Sequence, residues 1–509
     1  MTAPRQVSVA ILSWNGRQHL ETCLEALSNQ VDPGVEWEVL VLDNGSTDGT
    51  GAWLRGRYPE GLLTPRREPA SEPPSPPAST LAPASILPPA PPRLRVLASP
   101  VNLGFCTGNN RLVAAASGDA VAFLNNDTRP SRGWLAALVQ ALAAAPPDVA
   151  AVSGKIVDWD GERLDFGRGV MTFDGHAFQL DYRRPLRSAR VPERGAELLF
   201  ACGGNMLIRR ASFLDAGGFD ESYFAYLEDV DLGWRLWSGG ERVTFEPDAV
   251  VHHRSNATSD LLGLYNRGFL FERNAFLTAY KNYEPGLWEK VMPALLLTFL
   301  SRTQTMLADN NPGGGSLRID PYAGWIANTA APAVEGTPAA AAAIATATAP
   351  APATPAPPAP AAPRSLLSPA VLKRKWRQHG ARELCRRAAL KLRAELRAAL
   401  AAGRDGGRGR AEAAAARAPI LTDERTVAQL RALSYLLSHL EAAAAARAAV
   451  QRRRRRSDRD IFARFPLYLV PTYPGDQALF TSRGFAAWLP AELPLARQTL
   501  DEMMELDPS

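Results

Sequence analysis

Short apolar runs alternate with helix-like segments along the first part of the chain. The apolar runs are VSVAIL, EVLVLDN, LRVLAS and AVAFLNND, and helical patterns follow them from about His19, Asp48, Thr107 and Ser131. Strands that alternate with helices are typical of βαβ units, which build a mostly parallel sheet. The pattern therefore predicts an α/β fold of the Rossmann-like kind.

Two tracts rich in Pro and Ala divide the 509-residue chain. Residues 67–92 predict an exposed insertion, and residues 301–363 predict a loop and linker, because such compositions cannot bury a core. We therefore expect an α/β domain over 1–300 and a basic helical region over 364–460, whereas the tail at 461–509 has no assignable pattern.

Positive charge is concentrated in the helical region, which carries 24 Lys and Arg against 9 Asp and Glu although the whole chain has a net charge of only +5. It includes the unbroken run Arg452–Arg456. We interpret this region first as a solvated helical face and second as a peripheral contact with anionic phospholipid. Nucleic acid is not expected, since no aromatic interleaving or reading motif accompanies the run.

Cysteine usage and hydropathy limit the class of protein further. Cys23, Cys106, Cys202 and Cys385 are scattered without CxxC pairs, which argues against a disulfide framework and a cysteine zinc site. Neither a signal-peptide layout at the start nor an uninterrupted apolar stretch of spanning length is visible. We therefore expect a cytoplasmic protein, at most peripheral on the inner face of the membrane.

Polar residues follow each of the four predicted strands. Ligands of parallel sheets bind beyond the carboxyl ends of the strands, so these residues are candidates to bind a nucleotide. They are Ser13, Asn15, Asp43, Asn102, Gly104, Asn125, Asn126 and Asp127.

Each of these motifs also has a purely structural interpretation. Asp43 could accept hydrogen bonds from a base or ribose, or form an Asx turn before the next helix. The loop VNLGFCTGNN could carry a nucleotide or cap its helix. Asp127 could bind a divalent cation beside a diphosphate, or act as a helix cap.

The stretch GGFDESYFAYLEDVDLGWRL, at Gly217–Leu236, mixes carboxylates with aromatic rings, which favours the wall of a pocket. Asp231 and Arg235 have the spacing of an ion pair within a helix. Further on, FEPDAVVHHRS ends in His252 and His253, and only one of them can face the crevice because neighbouring strand residues point to opposite faces.

The ordered motifs SWN, LDNGSTDGT, NLGFCTGNN, LNNDT, CGGNMLIRR, GGFDESYFAYLEDVDLGWRL and VVHHRS resemble the family 2 glycosyltransferases of the GT-A fold, in particular the bacterial rhamnosyltransferase-like branch. The resemblance covers about Val7 to Tyr283. It implies inverting transfer of a sugar from a nucleotide-diphosphate donor to a hydroxyl of a glycan or lipid-linked acceptor, in surface polysaccharide synthesis, with Mg²⁺ or Mn²⁺. The branch suggests dTDP-rhamnose as donor, with UDP-hexoses as alternatives.

The resemblance also implies roles for single residues. Asp43 would contact the donor's base or ribose, and Asp127 would bind the metal together with His252. Asp229 would be the general base, with Glu228 in support or as the base itself.

Candidates for acceptor contact are Gly204, Asp220, Tyr223 and Trp234. Asn125 and Asn126 depart from the family, which often has carboxylates there, and this departure weakens the expected grip on a cation. Two alternatives use the same crevice: a nucleotidyltransferase of sugar phosphates, and a catalytically idle scaffold that binds nucleotide sugars.

Overall fold

A computed structural model describes residues 3–64, 91–254, 263–311 and 423–505. The predicted insertion, most of the linker and the first part of the basic region lie outside the described residues. The described strands are β1 (Gln6–Ser13), β2 (Glu36–Asn44), β3 (Arg93–Ser99), β4 (Ala120–Leu124), β5 (Thr128–Pro130), β6 (Val149–Asp158), β7 (Leu164–Phe166), β8 (Gly169–Met171), β9 (Ala177–Gln179), β10 (Glu197–Leu198), β11 (Asn205–Arg209), β12 (Arg242–His253), β13 (Leu467–Leu469) and β14 (Leu495–Arg497).

Helices cover both faces of the sheet formed by most of these strands. They are α1 (Arg17–Ser28), α2 (Thr50–Arg57), α3 (Gly104–Ala115), α4 (Trp134–Ala144), α5 (Arg210–Asp215), α6 (Glu228–Ser238), α7 (Gly263–Asn282), α8 (Pro285–Asn310), α9 (Glu424–Ser438), α10 (Leu440–Arg453), α11 (Asp458–Arg464), α12 (Asp476–Thr481), α13 (Arg483–Ala486) and α14 (Leu500–Met503). None of the described helices combines the length and apolar character needed to cross a bilayer.

The α/β prediction is confirmed by the sheet. Its order is β10-β12-β6-β11-β4-β1-β2-β3, with β5 paired to β12 and β7 paired to β6. The β4-β1-β2-β3 part is parallel, and its register places Ser13 opposite Asp43 and Asp43 opposite Ala98. The carboxyl ends of the first three strands therefore lie side by side.

The local sequence explains these elements. Strand β4 reads AVAFL and is buried throughout, as expected for a central strand covered on both faces. Helix α1 buries Leu20, Cys23, Leu24 and Leu27, which lie on one face at helical spacing. The described cysteines are free thiols, as the sequence predicts.

The C-terminal residues 423–505 belong to the same compact unit as the sheet. The sequence pattern predicts a separate basic region up to residue 460 and no assignable structure for the tail. Instead, Trp234 of α6 donates a hydrogen bond from Nε1 to Asp458 at 3.0 Å, and its ring packs edge-on against Phe462. The burial of these aromatic rings explains why the segment docks on α6.

The basic run is not a uniformly solvated face. The guanidinium of Arg456 donates to the carbonyls of Trp237, Gly240 and Glu241 at 3.0–3.1 Å, and it lies over the Trp237 ring at 4.9 Å. These carbonyls lie at and just beyond the C-terminal end of α6, where the helix dipole favours a cation. Arg454 also turns inward, to Asp458 at 2.9 Å.

Candidate functional site

The predicted strand ends are joined by hydrogen bonds between their polar side chains. Asn126 Nδ2 donates to Ser13 Oγ at 3.1 Å, which links the ends of β4 and β1. Asn15, in the left-handed region at φ 50°, accepts a hydrogen bond from the backbone of Thr47 at 2.7 Å, which links the end of β1 to the loop after β2. The structure therefore brings these predicted residues together at one edge of the sheet.

The loop before α3 is fixed to the same edge. Asn44 donates to Asn102 Oδ1 at 2.9 Å, and Gly104 N donates to the same oxygen at 2.9 Å. Gly104 has φ 78°, and a Cβ there would lie 2.7 Å from the carbonyl oxygen of Phe224. That carbonyl accepts a hydrogen bond from Phe105 N at 2.6 Å. This loop therefore caps α3 and ties it to the segment that precedes α6.

Asp43 is held by the loop that follows its strand, through a residue three positions on and so not in the two-residue spacing of an Asx turn. Its Oδ1 accepts a hydrogen bond from Ser46 N at 3.1 Å. Its Oδ2 lies 2.4 Å from the position that a Cβ on Gly51 would take, so only glycine at this position leaves room for the carboxylate. Asp43 is thus held at the strand end, beside the crevice.

Asp127, His253 and Asp165 form a row at the edge of the crevice. His253 Nδ1 lies 2.7 Å from Asp165 Oδ2, and its Nε2 lies 3.4 Å from Asp127 Oδ1. Burial disfavours a charged ring here, but the hydrogen bonds to Asp127 and Asp165 outweigh it and raise the pKa of His253 to about 10.

The structure does not bring His252, the predicted metal ligand, to Asp127. His252 Nδ1 lies 3.2 Å from the carbonyl oxygen of Trp159 and 3.4 Å from the Arg129 guanidinium. The reason is strand alternation: β12 pairs with β5 so that His253 lies opposite Thr128, the residue after Asp127, and His252 therefore points to the other face.

The donor set at this edge fits a divalent cation in part. Asp127 offers a carboxylate oxygen. His253 offers an imidazole nitrogen once it loses the proton that its raised pKa retains near neutral pH, so metal binding here would release a proton. Asp165 holds the other ring nitrogen, as a carboxylate commonly does behind a metal-binding histidine. Among the described residues no group of three or more potential protein ligands is arranged around one point. A cation here would therefore take its remaining ligands from phosphate oxygens and water, as Mg²⁺ and Mn²⁺ often do.

The segment before α6 has an unusual backbone. Phe224, Tyr226 and Leu227 all have φ between 63° and 71° without being glycine. The buried Asn274 of α7 lies within 2.7–3.1 Å of the carbonyl oxygens of Tyr223, Ala225 and Tyr226. Such conformations persist where the surroundings hold them, and they are common at functional sites. Here they fix the direction in which α6 begins.

Asp229 lies in the first turn of α6 and faces the strand ends. Its Oδ2 accepts a hydrogen bond from Gly203 N at 3.1 Å, and the neighbouring Gly204 carbonyl accepts one from Asn125 N at 3.3 Å. Asp229 is half-buried, and burial raises the pKa of its carboxyl. A carboxylate of raised basicity is therefore held beside the end of β4.

Glu228, its neighbour, is 7% exposed. Its Oε2 has no hydrogen-bond partner within the part of the chain that the structure describes. Burial and the charge of Asp229 raise the pKa of Glu228 to about 8, so its carboxyl is protonated near neutral pH. Of the two acids, Asp229 is the more accessible, and the hydrogen bonds that it accepts from Gly203 N and Val230 N favour its charged form.

Two predicted acceptor residues are part of the core. Tyr223 and Trp234 are fully buried. The Tyr223 hydroxyl lies 2.8 Å from Thr278 Oγ1, and the Trp234 indole donates a hydrogen bond to Asp458. They present no face to a ligand in this structure. The sequence alone could not separate pocket from core here, because the buried surroundings come from α7 and from the C-terminal segment.

Asp220, another predicted acceptor residue, caps a short 3₁₀ helix and forms an ion pair with Lys281. Lys281 also binds Asp231 at 3.0 Å, and Asp231 pairs with Arg235 at 2.8 Å, which confirms the predicted intrahelical ion pair. Gly204 remains beside the crevice through its contact with Asn125.

Three residues that matter to this geometry were missed by the sequence reasoning: His253, Asp165 and Asn274. Strand alternation indicates that only one of the two histidines can face Asp127, and the pairing of β12 with β5 decides that it is His253 rather than His252. Asp165 and Asn274 carry no local signal, since each lies far along the chain from the group that it holds.

The chain is similar to known glycosyltransferases. The sequence pattern of the family described as "Glycosyl transferase family 2" matches residues 8–63 and 75–216. A protein of Mycobacterium tuberculosis named N-acetylglucosaminyl-diphospho-decaprenol L-rhamnosyltransferase is 31% identical over 271 residues, which cover 49% of this chain and 76% of that protein. Rhamnosyltransferase WbbL of Escherichia coli is 36% identical over 69 residues, covering 13% of this chain and 25% of that protein.

Proposed function

The chain belongs to glycosyl transferase family 2 and has its GT-A fold, and from this premise we propose that it is an inverting enzyme. It moves a sugar from a nucleotide-diphosphate donor to a hydroxyl of a glycan or lipid-linked acceptor in bacterial surface polysaccharide synthesis. The observation that carries this proposal is the half-buried Asp229 carboxylate, held by Gly203 beside the polar strand ends.

Asp229 is the proposed general base. A sugar hydroxyl is a poor nucleophile, so a carboxylate within hydrogen-bond reach must take its proton as the oxygen attacks the anomeric carbon. The raised pKa of Asp229 makes it a stronger base than a solvated aspartate, while the hydrogen bond from Gly203 N and the N-terminal end of α6 favour its charged form. Glu228 stays neutral and shapes the environment of Asp229.

The strand ends are the proposed donor site. Asp43, held by its hydrogen bond from Ser46 N, is the proposed acceptor of hydrogen bonds from a base or ribose. Asp127 and His253 would hold Mg²⁺ or Mn²⁺, which when bound offsets the negative charge that develops on the departing diphosphate. Asn15 and Asn126 are fixed by their own hydrogen bonds and line the space between.

The proposed donor is dTDP-rhamnose. This choice is supported by the names of the two rhamnosyltransferases to which the chain is similar, and UDP-hexoses are the alternative.

A donor screen tests the proposal. The full chain is incubated with dTDP-rhamnose, UDP-glucose, UDP-galactose and UDP-N-acetylglucosamine, each with Mg²⁺ or Mn²⁺, and release of nucleoside diphosphate is measured. We expect slow, metal-dependent hydrolysis of one donor, dTDP-rhamnose first. No turnover and no metal-dependent binding of any donor would refute the enzyme proposal, whereas binding of a donor without turnover would leave the idle scaffold that binds nucleotide sugars.

A further inference from the structure

The loop that leads into α6, residues 223–227, needs support from outside itself; we call it the entry loop. Three of its residues have positive φ although none is glycine, namely Phe224, Tyr226 and Leu227. Side chains disfavour this region of backbone space, so such a loop persists only where its surroundings hold it. The loop runs directly into α6, which carries Asp229 in its first turn. Whatever holds the entry loop therefore also sets the direction of Asp229.

Asn274 of α7 holds the entry loop from one side. Its side chain is fully buried, and its Nδ2 lies 3.1, 2.8 and 2.7 Å from three carbonyl oxygens of the loop, those of Tyr223, Ala225 and Tyr226. An amide nitrogen has two hydrogens, so the three carbonyls share them. The carbonyls converge on one atom because the positive φ values turn the loop back on itself. Asn274 therefore stabilises the turned conformation rather than an extended one.

Arg273 fixes the amide of Asn274 in the orientation that this requires. Its Nε donates to Asn274 Oδ1 at 2.9 Å, and its Nη2 donates to the Tyr223 carbonyl at 2.7 Å. Because the amide oxygen already accepts from Arg273, the amide nitrogen must face the loop. The buried guanidinium lies 5.0 Å from the Phe269 ring centre and 4.6 Å from that of Tyr435. Tyr435 belongs to α9, so the C-terminal segment supports the entry loop from behind.

Helix α3 holds the entry loop from the other side. The carbonyl oxygen of Phe224 accepts hydrogen bonds from Phe105 N at 2.6 Å and from Cys106 N at 3.2 Å. These donors lie in the first turn of α3, where backbone N–H groups have no partner within the helix. The loss of Asn274 would therefore release one side of the entry loop and leave the other side in place.

We propose that Asn274 and Arg273 are positioning residues for sugar transfer, which hold the entry loop so that the Asp229 carboxylate lies at the crevice. Asn274 is fully buried, so it acts on the reaction through Asp229 and not by touching a substrate. The hold on the loop rests on the contacts described here, whereas its part in transfer rests on the proposed function.

Kinetics of Asn274→Leu test the proposal, with release of nucleoside diphosphate measured on the donor that the screen identifies, dTDP-rhamnose first. Leu has nearly the shape of Asn but no amide, so the loop loses its hold from α7. We expect kcat to fall about 10²-fold, because a misplaced base is that costly, while the KM for the donor stays near the wild-type value.

Asn282→Leu is the matched control for these kinetics. Asn282 is equally buried on α7, and its Nδ2 donates to Asp231 and to the Thr278 carbonyl, outside the entry loop. The two variants should lose similar stability in urea, and Asn282→Leu should keep most of the wild-type kcat. Equal losses of kcat in both variants would mean that the role of Asn274 is only structural, and would refute the proposal.

Hydrogen exchange reports the position of Asp229 without any turnover. The Gly203 amide donates to Asp229 Oδ2 at 3.1 Å, so its protection depends on where that carboxylate lies. Mass spectrometry of peptides that span Gly203 should show exchange at least about tenfold faster in Asn274→Leu than in the wild type, and little change in Asn282→Leu. Asp229→Ala gives the rate of the freed amide.

Arg273→Lys is a milder second variant, which decides the proposal if Asn274→Leu does not fold. Lys keeps the charge but lacks the planar fork that bonds Asn274 and Tyr223 together, so smaller changes in the same direction are expected. Wild-type kcat and wild-type exchange at Gly203 in the folded variants would refute the proposal. If the wild type turns over no donor, the proposed function fails, and exchange at Gly203 alone decides whether Asn274 and Arg273 position Asp229.

Discussion

Replacing Glu228 by Gln tests which of the two neighbouring acids is charged. The carboxyl of Glu228 is buried beside Asp229, and these two effects raise its pKa from 4.5 to about 8. Gln has nearly the shape of a protonated Glu and carries no charge at any pH. The variant therefore copies the state that Glu228 has near neutral pH, and its consequences for stability and for transfer can be stated in advance.

The effect on stability has a definite sign. Below pH 4.5 the carboxyl is protonated in both the folded and the unfolded chain, so it adds no pH dependence. Between 4.5 and about 8 the unfolded chain releases this proton and the folded chain keeps it, so the free energy of unfolding falls as the pH rises. At about 1.4 kcal/mol per pH unit, the wild type loses up to about 3 kcal/mol by pH 7, and Glu228→Gln does not.

The assay is urea unfolding followed by tryptophan fluorescence, at pH steps from about 5 to about 8. The free energy of unfolding of Glu228→Gln, minus that of the wild type, should grow steadily with pH and level off above about 8. A difference that stays constant over this range would mean that Glu228 is not held protonated by the fold, and would contradict the assignment.

Transfer activity gives the second half of the test. Glu228→Gln should keep most of the wild-type rate near neutral pH, because the group that it replaces is already neutral. Asp229→Asn should lose transfer by a factor of about 10² or more while it still binds donor, because a base must take the hydroxyl proton. Loss of transfer in Glu228→Gln, with an active Asp229→Asn, would assign the base to Glu228 instead.

Two further predictions concern the groups that support the site. Asp165→Asn should weaken Mn²⁺ binding about tenfold, measured by equilibrium dialysis, because Asp165 orients His253. The exposed Asp160→Asn is the control. If Asp165→Asn and Asp160→Asn bind Mn²⁺ with equal affinity, Asp165 does not have this role. Arg456→Met should lower the free energy of unfolding by about 1–3 kcal/mol, measured in urea, because three carbonyls at and just after the end of α6 lose a charged donor. The exposed Arg459→Met should change the free energy of unfolding little. Equal effects of the two variants would mean that Arg456 does not stabilise this end of α6.

The sheet and its polar edge could be predicted because their signals are local. Each strand of the β4-β1-β2-β3 part is an apolar run, and each polar residue follows its own strand directly. Parallel pairing then brings the ends together without any further information. The hydrogen bond from Ser46 N to Asp43 and the ion pair of Asp231 with Arg235 are local in the same sense, since their partners lie within four residues.

Features that depend on distant contacts could not be predicted in this way. From the sequence, Trp234 is a candidate to contact a sugar ring. In the structure its indole donates a hydrogen bond to Asp458, 224 residues further along the chain. The run Arg452–Arg456 looks like a solvated face until Arg456 meets the end of α6. His252 and His253 look equivalent until pairing with β5 turns one of them toward Asp127.

The same contacts explain why the stretch Gly217–Leu236 contains so many acids and so many aromatic rings. Its Trp234 anchors α6 by packing against Phe462 of the C-terminal segment, and Trp237, one residue beyond the stretch, packs against Phe465. Its last acid, Asp231, binds Arg235 and Lys281 and so joins α6 to α7. With both ends of the helix fixed, Asp229 is left to face the crevice. The burial that raises its pKa is therefore a consequence of how firmly the rest of the stretch is packed. Loosening α6 should lower the pKa of Asp229 and also shift the position of its carboxylate.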